Sequence, residues 1–202
     1  MGERRSVLAT VVQPRAGGAA DAPLRLGEAP GFALLQTSAF PDTVNEFARI
    51  AQRLLGADLP LQVGTAARAA QRALFKVGPE SFWIVGPAGA WEAELCDAVP
   101  GEVGSVLSLS HGRTRLFIEG AASCEVLCRG IGIDLHPEVF GVDAFALTEL
   151  VHTPVLLHRC AAHRYELYAL TTYAEWVWDW LADAALPFDP QIVAPAMAAL
   201  RG

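Results

Sequence analysis

Leu74-Phe75-Lys76-Val77, then Gly78-Pro79-Glu80-Ser81, then Phe82-Trp83-Ile84-Val85 follow one another without interruption. Two apolar runs of strand length flank a short polar turn, so the stretch reads as a β-hairpin and makes antiparallel pairing the starting point for the fold. Upstream, Phe32–Ser38 is short and apolar in the manner of a buried strand. A helix follows it: Thr43 and Glu46 have capping-box spacing, Phe47, Ala48, Ala51, Leu54 and Leu55 keep helical spacing, and Gly56 can end the helix in left-handed geometry. Downstream, a short helix is expected from Ala90 to Val99, stopped by Pro100-Gly101. Ser105–Ser110 and Thr114–Ile118 then read as a second pair of strands about the turn His111-Gly112-Arg113.

The rest of the chain repeats this order. Gly120 opens a helix through about Cys128, and Asp134-Leu135-His136-Pro137 forms its exit loop. Strands are expected over Ala146–Val151, Pro154–His158 and Tyr165–Leu170, followed by a helix from Thr172 to about Ala185. Hairpins followed by helices, without strict strand-helix-strand alternation, predict an α+β fold: a mixed, largely antiparallel sheet with helices packed on one face. Residues 1–30 are rich in Ala, Gly, Pro and Arg and read as an N-terminal arm, 31–186 as one domain, and 187–202 as a C-terminal tail.

Composition removes several functional classes. A chain of 202 residues, 52% hydrophobic, can bury a real core as one ordinary domain. Its formal net charge of -7, with 15 scattered basic residues, does not suit a surface that neutralises phosphates. Arg4-Arg5 is not followed by an apolar stretch of signal-peptide length, and no run of about 18 apolar residues occurs. A cytoplasmic protein is expected. Cys96, Cys124, Cys128 and Cys160 are too few and scattered for a disulfide framework, and Cys124/Cys128, four apart on one helical face, lack a second pair with which to grip a soft metal.

Catalytic signatures are equally sparse. The glycines near Gly78, Gly86 and Gly89 lack the spacing that wraps backbone amides around phosphates, and G-x-S-x-G, H-E-x-x-H and C-x-x-C do not occur. The chain is therefore expected to hold no FAD or NAD itself. Among His111, His136, His152, His158 and His163, only His136 sits beside a carboxylate in sequence, as Asp134-x-His136, where both side chains can satisfy backbone groups at a helix exit. Arg113, beside the turn, is a potential partner for Asp134 in a structural role. His152 and His158, at even spacing about a strand, are expected on one face.

The terminal helix carries the most informative pattern. Thr172 and Glu175 form a second capping box, which sets the phase. Ala174, Val177, Trp178, Leu181 and Ala185 then share one stripe for packing on a sheet, while Tyr173, Trp176 and Trp180 fall on another. The second set is covered either by another segment, such as the tail after Pro187, or by a partner, because aromatic residues anchor interface centres.

Leu109–Pro137, with Gly112-Arg113-Thr114, Gly120-Ala121-Ala122 and Asp134-Leu135-His136-Pro137 in succession, resembles the gamma subunit family of heterotetrameric sarcosine oxidase. Thr153–His158 and Tyr173–Leu181 look like that family's later strand and terminal helix, and Gly78–Trp83 like its earlier hairpin turn, so the likeness runs from about Phe32 to Ala185. The resemblance implies a non-catalytic subunit that packs against the alpha subunit of an assembly with alpha, beta and delta chains. In such an assembly FAD, FMN and NAD sit on the larger chains, and sarcosine is oxidatively demethylated with transfer of the one-carbon unit to tetrahydrofolate. It also implies a fold similar to part of the folate-binding aminomethyltransferase domain. The alternatives are the small subunit of a related N-methyl amino acid dehydrogenase, such as N-methylglutamate dehydrogenase, and a free-standing folate-binding aminomethyltransferase-like protein.

Overall fold

The computed structural model describes residues 6–16 and 24–194. In chain order its elements are β1 (Arg25–Glu28), β2 (Phe32–Ala39), α1 (Val44–Leu55), β3 (Ala66–Ala69), β4 (Arg72–Lys76), β5 (Ser81–Pro87), α2 (Trp91–Ala98), β6 (Gly104–Ser108), β7 (Arg113–Glu119), α3 (Ser123–Cys128), β8 (Phe145–Leu150), β9 (Thr153–Ala161), β10 (Arg164–Leu170), α4 (Ala174–Ala185) and β11 (Gln191–Val193). The fold is α+β and dominated by antiparallel pairing, but the strands form two sheets where one was expected. The chain divides into two compact units: Phe32–Ser110, and the residues on either side of that segment in sequence.

In the Phe32–Ser110 unit the sheet order is β3-β4-β5-β2-β6, with every neighbour antiparallel. The hairpin of β4 and β5 sets Leu74 opposite Ile84 and Phe75 opposite Trp83. Its turn closes as the amides of Val77 and Gly78 donate to the Ser81 carbonyl at 3.0 and 3.2 Å. Alternate residues Ala33 and Leu35 of β2, Leu74 of β4, and Phe82 and Ile84 of β5 bury against Phe47, Ile50, Ala51 and Leu55 of α1 and Trp91 and Leu95 of α2. Phe47 stacks on Phe82 with ring centroids 5.9 Å apart. Gly56 ends α1 at φ 71°, as its lack of a side chain permits. The capping box does not form. Thr43 Oγ1 donates instead to the carbonyls of Val103 (2.6 Å) and Phe40 (3.2 Å), which ties the helix start to the approach to β6.

The second unit has the order β11-β1-β7-β10-β9-β8, in which β1 and β11 are the one parallel pair among the described residues. Leu116 and Ile118 of β7, Leu157 of β9, and Leu167 and Ala169 of β10 pack with Val126 and Leu127 of α3 and Val177, Trp178 and Leu181 of α4. β1 lies where an arm was expected, and Leu8 and Val12 from the same stretch are buried in this core. Gly27 is required there, because a Cβ would lie 2.7 Å from the Val193 carbonyl oxygen of β11. β6 and β7 are strands as expected, but they do not pair: β6 adds to β2 and β7 lies between β1 and β10. The second capping box is also absent. Thr171–Tyr173 forms a single 3-10 turn, and α4 begins at Ala174 without a side-chain cap.

Candidate functional site

The 3-10 turn that leads into α4 is anchored in its own unit, with Thr171 Oγ1 donating to the His111 carbonyl at 3.1 Å. From there the stripe of Ala174, Val177, Trp178, Leu181 and Ala185 is buried, as helical phase demands. On the far side Tyr173 and Trp176 remain 47% and 42% exposed. Trp180 departs from them. It is half-buried against the core, and its six-membered ring lies over Gly130, where a Cβ would stand 2.5 Å from Trp180 Cζ2 and 2.9 Å from Val151 Cγ2. The three aromatic residues expected to act together are thus divided: Trp180 is occupied within the chain, while Tyr173 and Trp176 face outward.

Val151, the other group over Gly130, belongs to the two-residue turn between β8 and β9. Val151 and His152 both adopt left-handed backbone, at φ 44° and 68°. A β-branched residue is rarely found there, and the strain is held by the Val151 amide, which donates to the Gly130 carbonyl at 2.9 Å. An open groove of about 400 Å³ runs beside this turn, lined by Gly130, Gly132, Ile133, Thr148, Glu149 and His152 among others. His152 Nδ1 is 4.0 Å from Glu149 at the surface, a separation that gives no catalytic hydrogen bond.

Asp134, His136 and Arg113 do not converge. Asp134 Oδ1 accepts the His136 amide at 2.8 Å, and His136 Nδ1 accepts the Glu138 amide at 3.4 Å, so both side chains serve the backbone of their own loop. Asp134 turns to this loop instead of to Arg113, whose Nη1 donates to the Gly112 carbonyl at 3.3 Å. Burial pushes the Arg113 guanidinium pKa below its ordinary value. His152 and His158 also differ in setting. His158 is 2% exposed within β9 and 3.6 Å from the Asp143 carboxylate, whereas the left-handed turn holds His152 in solvent.

Cys124 and Cys128 do share a face of α3, with their Sγ atoms 3.9 Å apart and both thiols free. Burial, followed by the neighbouring Cys124, pushes the Cys128 thiol upward and away from the reactive thiolate. Tyr165 lies against the same pair, and burial first and Cys124 second push its phenol up to about 12. Among the described residues no group of three or more His, Cys, Asp or Glu side chains could hold a metal ion. The sequence reading missed Arg159, a buried guanidinium whose Nη1 and Nη2 donate to the carbonyls of Phe140 and Ala162, each at 2.7 Å. It also lies over the ring of its cross-strand neighbour Tyr165, 5.6 Å from the centroid. Sequence alternation does not show this pairing, because a register shift between Arg164 and Tyr165 sets Tyr165 opposite Arg159 instead of Cys160.

A family model described as "Sarcosine oxidase, gamma subunit family" matches residues 41–186. The chain belongs to this family. Within it, the sarcosine oxidase subunit gamma of Arthrobacter sp is 38% identical over 142 residues, covering 69% of this chain and 70% of the relative. That of Corynebacterium sp. (strain P-1) is 37% identical over 150 residues, 73% of each chain. Among solved structures, a chain of the heterotetrameric sarcosine oxidase from Corynebacterium sp. U-96, in complex with pyrrole 2-carboxylate, matches with a TM-score of 0.82 at 31% identity, covering 95% of this chain and 99% of that one. The glycine cleavage system aminomethyltransferase T from Bartonella henselae matches with a TM-score of 0.60 at 17% identity over 79% of this chain and 45% of that one, which shows a shared fold alone. The gamma-family match contains the helix α4 and the Asp134–Pro137 loop, and it ends one residue after α4.

Proposed function

We propose that this chain is the gamma subunit of a cytoplasmic, heterotetrameric sarcosine-oxidising flavoenzyme, in which it packs against the alpha subunit and carries no chemistry of its own. The observation that carries the reading is the near end-to-end correspondence with one chain of a heterotetrameric sarcosine oxidase at 31% identity. In this assembly, with alpha, beta and delta chains as its partners, the larger chains hold FAD, FMN and NAD, and tetrahydrofolate receives the one-carbon unit released from the N-methyl group. The polar groups of this chain support a non-catalytic role: Asp134, His136 and Arg159 are engaged with backbone amides and carbonyls, not aimed together into a cleft. Exposed Tyr173 and Trp176 supply interface anchors of the kind a subunit needs. No helix among the described residues is long and apolar enough to cross a membrane.

The test is co-expression of this chain with the chains encoded beside it, purification through a tag on the largest of them, and assay with a panel of N-methyl amino acids. The expected result is a yellow complex that contains this chain and oxidises sarcosine in preference to N-methylglutamate. A monomeric chain that stays apart from the flavoproteins and binds tetrahydrofolate by itself would overturn the proposal.

A further inference from the structure

The geometry points to the outer face of α4 as a docking surface for an arginine-bearing, cationic patch on a neighbouring subunit, an inference that rests on the subunit reading above. At 100° per residue, Trp176, Asp179 and Asp183 fall within about 60° of one another, opposite the buried stripe. Glu175 and Tyr173 flank them, so two exposed aromatic residues stand among three exposed carboxylates. Glu175, Asp179 and Asp183 follow one another at four-residue spacing, a like-charge arrangement that disfavours the helix. Asp183 adds to this because the last turn of a helix favours cations and α4 has no basic residue there. Among the described residues no ion pair reaches any of the three. Arg129, a cation that does reach α4, donates to the Ala184 carbonyl, pairs with Glu125 and lies over the Phe188 ring.

The arrangement therefore works against the isolated helix and finds its compensation in a partner of opposite charge. Arginine fits this face better than lysine, since one planar guanidinium can stack on the Trp176 indole while its fork meets Asp179 or Asp183.

The test uses the assembled complex. Asp179→Lys with Asp183→Lys is compared with wild type, with Trp176→Ala, and with Glu94→Lys with Asp97→Lys, which makes the same change in net charge on an exposed face of α2. Release of this chain on dilution is followed by mass photometry from low to high ionic strength. The α4 reversal should raise the apparent dissociation constant by at least about thirtyfold at low salt, and the Trp176 variant by about tenfold. The control should change it less than about threefold, and the α4 defect should shrink as salt screens the charges, which a folding defect would not do. A reversal that behaves like the control, or a loss confined to Trp176→Ala, overturns the cationic partner. If wild-type protein never joins the flavoprotein chains, the subunit reading falls first and this inference with it.

Discussion

Gly130→Ala tests the packing that takes Trp180 out of the exposed set. The added methyl would stand 2.5 and 2.6 Å from two atoms of the Trp180 ring and 2.9 Å from Val151 Cγ2. Carbon atoms pack best at about 3.5–4.0 Å, so the indole must withdraw by about 1 Å or the strained turn must give. Overpacking of this kind costs about 1–3 kcal/mol. Opposing it, alanine restricts the unfolded chain and returns about 0.4–1 kcal/mol. The balance is a loss of about 1 kcal/mol, which would speed amide exchange over α3 and α4 about fivefold when opening is the route. Hydrogen exchange on the assembled complex, read in peptides across Ser123–Ala185, measures this. In a Trp180→Ala background most of the penalty should disappear, because only the 2.9 Å approach to Val151 Cγ2 is left. A Gly130→Ala protein as protected as wild type, or better, would refute the packing of Trp180 over Gly130.

Other consequences can be measured directly. Thr43→Val should destabilise the protein by about 1 kcal/mol through loss of the Val103 contact, while Glu46→Ala should change it by less than about 0.5 kcal/mol, since no capping box exists to break; urea unfolding separates the two. Arg159→Met should cost about 2–4 kcal/mol by leaving the Phe140 and Ala162 carbonyls unsatisfied, seen as a lower denaturation midpoint. Tyr165 has its folded pKa raised from 10.0 to about 12, so its contribution to stability is complete below pH 10 and is lost as pH rises toward 12. Spectrophotometric titration should accordingly find a tyrosinate that forms late, and Tyr165→Phe should flatten the alkaline loss of stability.

What could be read from residues alone was what depends on local period. The hairpin about Gly78–Ser81 and the buried stripe of α4 are both present because alternation and 3.6-residue spacing report directly which face is covered. The helix α1 was legible for the same reason, although Ile50 joins its buried set while Ala48 and Leu54 are only half-buried. What depends on distant partners was not legible. β1 and β11 are too short to show a period: β1 exists because β7 and β11 flank it, and β11 because β1 and the backbone of Arg15 supply its hydrogen bonds. β6 and β7 follow one another in sequence yet join different sheets, which a hairpin reading of His111-Gly112-Arg113 cannot detect. The two capping boxes had the right spacing, but Thr43 found a better acceptor in Val103, and the 3-10 turn moved the start of α4 past Thr172.

The candidate site was legible to a similar degree. Helical phase separated Tyr173 and Trp176 from the core stripe but placed Trp180 with them, since only the close approach of Gly130 admits that indole inward. Asp134 and His136 were recognised as backbone-satisfying groups from their loop context, while the supposed link to Arg113 required a distance that spacing does not carry.

Native mass spectrometry of the active, tag-purified sarcosine-oxidising assembly tests most directly whether this polypeptide is a built-in part of a larger redox machine. One copy of this chain with one copy of each flavin-bearing and accessory chain, and no flavin left on this chain when it is ejected, is the predicted spectrum. An active assembly that lacks it, or a flavin that leaves with it, would contradict the account.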